Sequence, residues 1–210
     1  FAELALKPVI TKEEAVKRIS SDDIERLFYP VIDTTKTMIA ELKKIRLGGG
    51  INAVPGAAAG KVVFKAAEAE HMAKKGDRVI LVRKETSPED VGGMHASKGI
   101  LTATGGKTSH AAVVARGWGK CCIVGCEALN INYEAKSMTV NGHAIKQGEY
   151  LTLDGSAGEI YFGDLPLKEP ELPASYYTIL KWADEMRTIN VRTNADTPYD
   201  AVNAIKMGAE

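Results

Sequence analysis

Apolar and polar positions alternate in two different textures along the chain. Through residue 47 the apolar residues recur at helical spacing. Thr11 and Glu14 form a capping pair ahead of Val16 and Ile19. Ser21 precedes Ile24, Leu27 and Phe28, which share a helical face, and Pro30 ends that run. Met38, Ile39, Leu42 and Ile45 predict a third helix over about 33–47. Gly48, Gly49 and Gly50 follow, and three glycines in a row predict a flexible joint and a first boundary.

From Ile51 the pattern becomes small, apolar and rich in turns, and INAVPGAAAGKVVF predicts a strand at 61–64. AAEAEHMAKK is a short helix closed by Gly76. RVILVR reads as a buried strand by its unbroken apolar run. Ser87 caps a helix with Pro88 first and Glu89 and Asp90 in its first turn. KGILTA and CCIVG are further strands, with the apolar helix AAVVAR between them. Residues 136–162 are β-rich, with a hairpin signal at Asn141-Gly142 and turns at Gln147-Gly148 and Asp154-Gly155. DLPLKEPELPAS is a semi-rigid connector, followed by a helix over about 176–188. The tail NVRTNADTPYDAVNAIKMGAE predicts a short strand, then a helix capped by Thr197 with Pro198 first.

Composition narrows the function classes. Among 210 residues, 27 basic and 27 acidic side chains cancel, which argues against a dedicated nucleic-acid binder and against an acidic disordered tail. No apolar run reaches the ~18 residues that cross a bilayer. The first residues turn charged too soon for a signal peptide. The chain opens on Phe1 rather than Met and stops just after Gly208, where a strand–helix repeat is expected to continue, so it reads as a slice of a longer protein. Cys121, Cys122 and Cys126 fall within six residues, a spacing for neither a disulfide framework nor a zinc site, and read as reduced thiols buried in a strand.

One segment carries chemistry. Thr104-Gly105-Gly106-Lys107-Thr108-Ser109-His110 joins an apolar strand to an apolar helix, so His110 falls in the helix's first turn. Free N–H groups at a helix N-terminus bind anions, and the positive end of the dipole favours a neutral ring. Gly105 and Gly106 let a polyanion approach the backbone, Thr108 or Ser109 can cap the helix or donate to a phosphate oxygen, and Lys107 adds a mobile positive charge. A histidine there suits phosphoryl transfer as a covalent nucleophile. The same residues also fit a plain turn with a surface histidine, and the loop matches neither an ATP P-loop nor a dinucleotide fingerprint.

TGGKTSHAAVVARGWGKCCIVG resembles the phosphohistidine signature of the PEP-utilising enzymes, and ETSPEDVGGMHASKGILT upstream is most similar to their dikinase branch. The resemblance runs over nearly the whole chain. It implies an α/β fold: a swivelling β/β/α phosphohistidine domain over 51–163, preceded over 1–50 by the helical end of a nucleotide-binding region and a linker. A connector over 164–188 and the first strand and helix of a TIM barrel over 189–210 follow. It implies His110 as the catalytic residue, with Gly105, Gly106, Thr108 and Ser109 binding phosphate. His110 would take a phosphoryl-bearing group from ATP, pass one phosphoryl to inorganic phosphate and give the other to pyruvate, yielding AMP, diphosphate and phosphoenolpyruvate. The joint at 48–50 and the connector would let the domain swing between two sites.

The family resemblance further implies magnesium bound by other domains of the parent, with none expected in this chain. Partners are the nucleotide-binding and pyruvate-binding domains of the same parent chain, itself a homodimer, with no nucleic acid and no membrane. The location is cytoplasmic or organellar, chloroplast or glycosome-like. Thr108 holds the position that a regulatory protein modifies in plant members, although a cap or phosphate contact is the preferred role. Lys107 departs from the Met of many dikinases. Phosphoenolpyruvate synthase, with water as acceptor, and a non-catalytic β-rich docking module are the alternatives. Elsewhere His71 and His143 read as surface residues, His95 as a packing or surface residue, Arg116 as a capping or ion-pairing residue, and Trp118 as a packing aromatic or part of a docking surface.

Overall fold

The computed structural model describes residues 2–7, 9–36, 39–206 and 208–210. Met38, one of the apolar positions expected in the third helix, lies outside the described residues. In chain order the first elements are α1 (Ala2–Leu6), α2 (Lys12–Lys17), α3 (Ser21–Glu25), β1 (Val31–Ile32), α4 (Ile39–Ile45), β2 (Arg46–Gly49), β3 (Ile51–Val54) and β4 (Ala57–Val63). Next come α5 (Ala66–Lys74), β5 (Val79–Arg83), α6 (Val91–Ala96), β6 (Gly99–Thr102), α7 (His110–Gly117) and β7 (Cys121–Val124). After them stand β8 (Leu129–Asn132), β9 (Ser137–Val140), β10 (His143–Lys146), β11 (Tyr150–Asp154), β12 (Glu159–Phe162), β13 (Leu167–Lys168), α8 (Ala174–Met186) and α9 (Pro198–Lys206).

The chain divides into two compact units, one of Phe1–Ile24 with Leu172–Glu210 and one of Glu25–Glu171. In the first, the Thr11 hydroxyl accepts the Glu14 amide at 3.1 Å and starts α2 as its sequence dictates. The next cap falls one residue earlier than expected: the Ser20 hydroxyl, not that of Ser21, accepts the Asp23 amide at 3.2 Å, and Asp23 accepts the Ser20 amide in return. Thr197 and Asp200 form the same reciprocal pair ahead of α9. The short strand expected before α9 is absent among the described residues, where 190–196 carry no secondary structure. A single extended segment has no ladder until a neighbouring strand supplies one.

The second unit is layered. β4, β5, β6 and β7 run parallel, joined by crossovers through α5, α6 and α7. Among the described residues this sheet has eight strands in the order β2-β12-β11-β4-β5-β6-β7-β3, and β8, β9 and β10 form a separate antiparallel sheet. One face packs Val63, Leu81, Ile100 and Cys122 against Ala69, Met94 and Ala112 of the helices. The other packs Ile80, Val82, Leu101 and Cys121 against Met138, Val140 and Ile145 of the small sheet. Strands covered on both sides must be apolar throughout, which is why VILVR, GILT and CCIV lack alternation. Each fully buried Ile or Leu contributes about 1.5–3 kcal/mol. Cys121 and Cys122 face opposite cores, as neighbours in a strand do, and burial pushes the Cys122 thiol up to about 12.

The third predicted helix and the glycine joint both require correction. Among the described residues of that stretch only Ile39–Ile45 is helical, and Arg46–Gly49 is already a strand. β2 and β3 lie at opposite ends of the sheet order, yet only Gly50 separates them. The sheet therefore curls until one stretch of chain serves both edges, β2 on β12 and β3 on β7. A Cβ on Gly49 would stand 2.7 Å from the Gly158 carbonyl oxygen, and one on Gly50 would stand 2.7 Å from that of Val124. The Gly50 amide donates to Gly158 at 2.9 Å. The glycines are there for close backbone contact at the seam, and the run is pinned at both edges rather than loose. The Pro-rich connector is likewise partly ordered: β13 pairs antiparallel with β1, so the chain enters and leaves this unit side by side.

Gly50→Ala is expected to lower the stability of this unit by roughly 1–3 kcal/mol through overpacking at the seam. Gly117→Ala, where a Cβ meets nothing within 4 Å, is expected to leave stability unchanged or raise it by up to about 1 kcal/mol. Denaturant unfolding of the two variants checks this, and equal midpoints for Gly50→Ala and the parent would contradict a tight seam.

Candidate active site

Parallel pairing aligns the ends of β5 and β6, with Arg83 opposite Thr102. The loops that leave those ends therefore emerge together, on the edge where parallel sheets commonly place ligands. The Lys84 carbonyl fastens one loop to the other, accepting from both the amide and the hydroxyl of Thr104 at 3.0 Å. The Tyr133 hydroxyl accepts the Lys84 amide at 3.0 Å, so the small sheet supports the same corner. The Lys84–Thr104 contact roots the glycine loop.

The loop then turns sharply. Gly105 has φ +105°, a left-handed value that favours glycine, and a Cβ there would press on Ser109 at 2.9 Å. Gly125, at φ +62°, lets its backbone lie against Gly105; a Cβ would reach the Gly105 carbonyl oxygen at 2.7 Å. Gly106 faces open space, with nothing within 4 Å of a Cβ built on it. Lys107 and Thr108 are exposed, and Ser109 and His110 are half-buried. The loop thus presents an open outer face to solvent while its inner face is packed.

His110 is the first residue of α7, and Ser109 is its N-cap by backbone conformation. The Ser109 side chain makes no capping hydrogen bond, and its hydroxyl oxygen is buried without a partner among the described residues. Thr108 does not occupy the cap position. The amides of His110, Ala111 and Ala112 have no intrahelical acceptor by their place in the first turn. The buried, helix-facing Ala111, Ala112 and Ala115 set the helix against the sheet and so fix the direction in which His110 projects.

One contact was not legible from spacing. Thr86, buried in the loop after β5, places its hydroxyl oxygen 3.0 Å from His110 Nδ1. Twenty-four residues separate the two, and only the adjacency of β5 and β6 brings them together. Ser87 and Asp90 hold the Thr86 loop from the other side, where the Asp90 carboxylate accepts the Ser87 amide at 2.9 Å and pairs with Arg83 at 3.3 Å. Of the two roles expected for Arg116, capping or ion-pairing, no ion pair is seen among the described residues; its guanidinium donates to the carbonyls of Ala53 at 3.2 Å and Lys107 at 3.3 Å. Trp118 is 37% exposed with its ring edge-on to His95 at 5.0 Å, while His71 and His143 are exposed. Among the described residues no three His, Cys, Asp or Glu side chains gather as a metal site. Nor is any helix among them long and apolar enough to cross a membrane.

Comparison with known proteins bears on the same segment. The family described as PEP-utilising enzyme, mobile domain, matches residues 75–158, which include Thr86, the glycine loop and His110. Pyruvate, phosphate dikinase of Clostridium symbiosum is 52% identical over 202 residues, 96% of this chain and 23% of that protein. Pyruvate, phosphate dikinase 2 of Zea mays and the chloroplastic pyruvate, phosphate dikinase of Flaveria pringlei are each 45% identical over 96% of this chain. The chain spans 23%, 22% and 21% of the lengths of these three relatives. Residues 75–158 thus match the mobile domain of PEP-utilising enzymes, within a similarity to pyruvate, phosphate dikinases that runs through 96% of the chain.

Proposed function

We propose that this chain is the phosphoryl-carrying part of a pyruvate, phosphate dikinase, with His110 as the residue that is phosphorylated. The observation that carries the reading is the half-buried imidazole held by Thr86 at 3.0 Å through Nδ1, beside an open, cationic loop. With Nδ1–H donating to the Thr86 oxygen, the lone pair stands on Nε2, which is the nucleophile. In the direction from phosphoenolpyruvate, Nε2 attacks phosphorus, the bond from phosphorus to the enol oxygen breaks, and the enolate leaves to be protonated as pyruvate. In the other direction His110 takes its group from ATP and passes one phosphoryl to inorganic phosphate, releasing AMP and diphosphate.

Transfer of this kind asks the protein for position and charge rather than for covalent chemistry. The first-turn amides of α7, the unpartnered Ser109 hydroxyl and the Thr108 hydroxyl are the donors for phosphoryl oxygens, and Gly105 and Gly106 keep the approach clear. Thr108 is exposed, which suits a phosphate contact and leaves it open to modification by a regulatory enzyme. Magnesium, ATP and pyruvate belong to neighbouring domains of the parent: a nucleotide-binding region ending in the helices before residue 25, and a TIM barrel opening at 189–210. The parent is a homodimer of the cytoplasm or an organelle. The carrier swings as the unit Glu25–Glu171, about the paired β1 and β13, in place of the glycine run.

Given phosphoenolpyruvate and magnesium, the intact parent enzyme is expected to take one acid-labile, base-stable phosphoryl group on His110, located by mass spectrometry at high pH. Label on Thr108 or Ser109 alone would sink the carrier reading. Thr86→Val keeps the side chain's shape but removes the hydroxyl. Loss of that hydrogen bond, at about 1 kcal/mol, is expected to shift the tautomer balance of His110 away from Nδ1–H by roughly fivefold. Imidazole 15N chemical shifts measure that balance, and unchanged shifts in the variant would show that Thr86 does not set it.

A further inference from the structure

β3 and β7 pair in register at Ile51 with Val124 and at Asn52 with Ile123, then again at Val54 with Cys122. The count slips by one between Asn52 and Val54, so Ala53 is the extra residue of a β-bulge. Ala53 is 6% exposed, and a buried carbonyl left out of the ladder needs a donor. Arg116 supplies it. From the last turn of α7 its side chain runs back along the helix, as helical side chains do, and one nitrogen, Nη2, donates to Ala53 at 3.2 Å and to Lys107 at 3.3 Å. That nitrogen carries two hydrogens, so both bonds can form at once.

The glycine loop is held unevenly without this contact. Its start is rooted at Thr104 by the Lys84 carbonyl, and its end is fixed where Ser109 begins α7. In between, Gly106 has open space beside it and Lys107 and Thr108 are exposed. The Ser109 amide donates to the Gly106 carbonyl at 2.9 Å and closes the turn on itself, whereas the bond from Arg116 to the Lys107 carbonyl comes to this middle stretch from outside the loop. We propose that Arg116 is a positioning residue: by bridging the bulge in β3 to Lys107 it holds the loop's amides and hydroxyls where a phosphoryl group on His110 needs them. This inference rests on the reading of His110 as the phosphoryl acceptor. It also accounts for the bulge, which turns the Ala53 carbonyl out of the ladder towards the helix that carries the histidine.

The test uses the intact parent enzyme and its R116A and R116K variants. Hydrogen exchange over 104–109 reads the tie itself, and rapid-quench transfer of 32P from labelled phosphoenolpyruvate to His110 reads its consequence. For R116A, faster loop exchange is expected, with a transfer rate lower by on the order of 10- to 100-fold, as a misplacement near 1 Å produces. The KM for phosphoenolpyruvate should change little, and the unfolding midpoint should fall modestly, because the Ala53 carbonyl loses its donor. Added guanidinium should restore part of the rate, and R116K should fall between, because an ammonium lacks the planar fork. Unchanged loop exchange in R116A would overturn the inference. So would an unchanged transfer rate, or a loss that tracks a lower unfolding midpoint and that guanidinium does not restore. If the parent itself fails to label His110, the carrier reading falls, while the exchange measurement still decides whether Arg116 ties the loop.

Discussion

The curled sheet depends on closing its two edges with a single stretch of chain. Residues 46–54 pair with β12 on one side and β7 on the other, and Gly49, Gly50 and Gly158 allow the backbones to meet where a Cβ would collide. That seam fixes β3 beside β7, and α7 packs over both. The position of the helix that carries His110 is therefore a consequence of how the sheet closes. The bulge at Ala53 and the reach of Arg116 belong to the same corner.

Much of this was legible in the sequence because the controlling physics was local. The capping pair at Thr11, the Ser87–Pro88 start and the Asn141-Gly142 hairpin each depend on a few adjacent residues, and each appears. The unbroken apolar runs of β5, β6 and β7 announced strands covered on both faces. What escaped was long-range. Arg46–Gly49 carries a helix-like apolar spacing upstream, but its partner β12 lies more than a hundred residues away and takes it into the sheet. Thr86 gave no sign of contact with His110, since only the parallel pairing of β5 with β6 joins their loops. The contact of Arg116 with Lys107 gave no sign either, because it depends on the backward lean of a long side chain and not on helical spacing alone.

The proposed function sets the site two needs that pull in opposite directions. A carrier histidine must be accessible enough to meet donors and acceptors on other domains, yet rigid enough that a weakly bonded transition state finds its charges already in place. Here the inner side of the loop is packed, through Gly105 on Ser109, Gly125 on Gly105 and Thr86 on the ring, while the outer side at Gly106, Lys107 and Thr108 is open. The strands at the entrance and exit of the unit pair with each other, apart from that arrangement.

The central claim is that Thr86 holds Nδ1 and leaves Nε2 as the nitrogen that bears the phosphoryl group. Long-range 1H–15N correlation spectra of the phosphorylated enzyme, with 15N-labelled histidine, identify the substituted nitrogen of His110 directly. Phosphorus on Nε2, with Nδ1 still protonated and hydrogen-bonded, is the predicted result; phosphorus on Nδ1 would contradict the account.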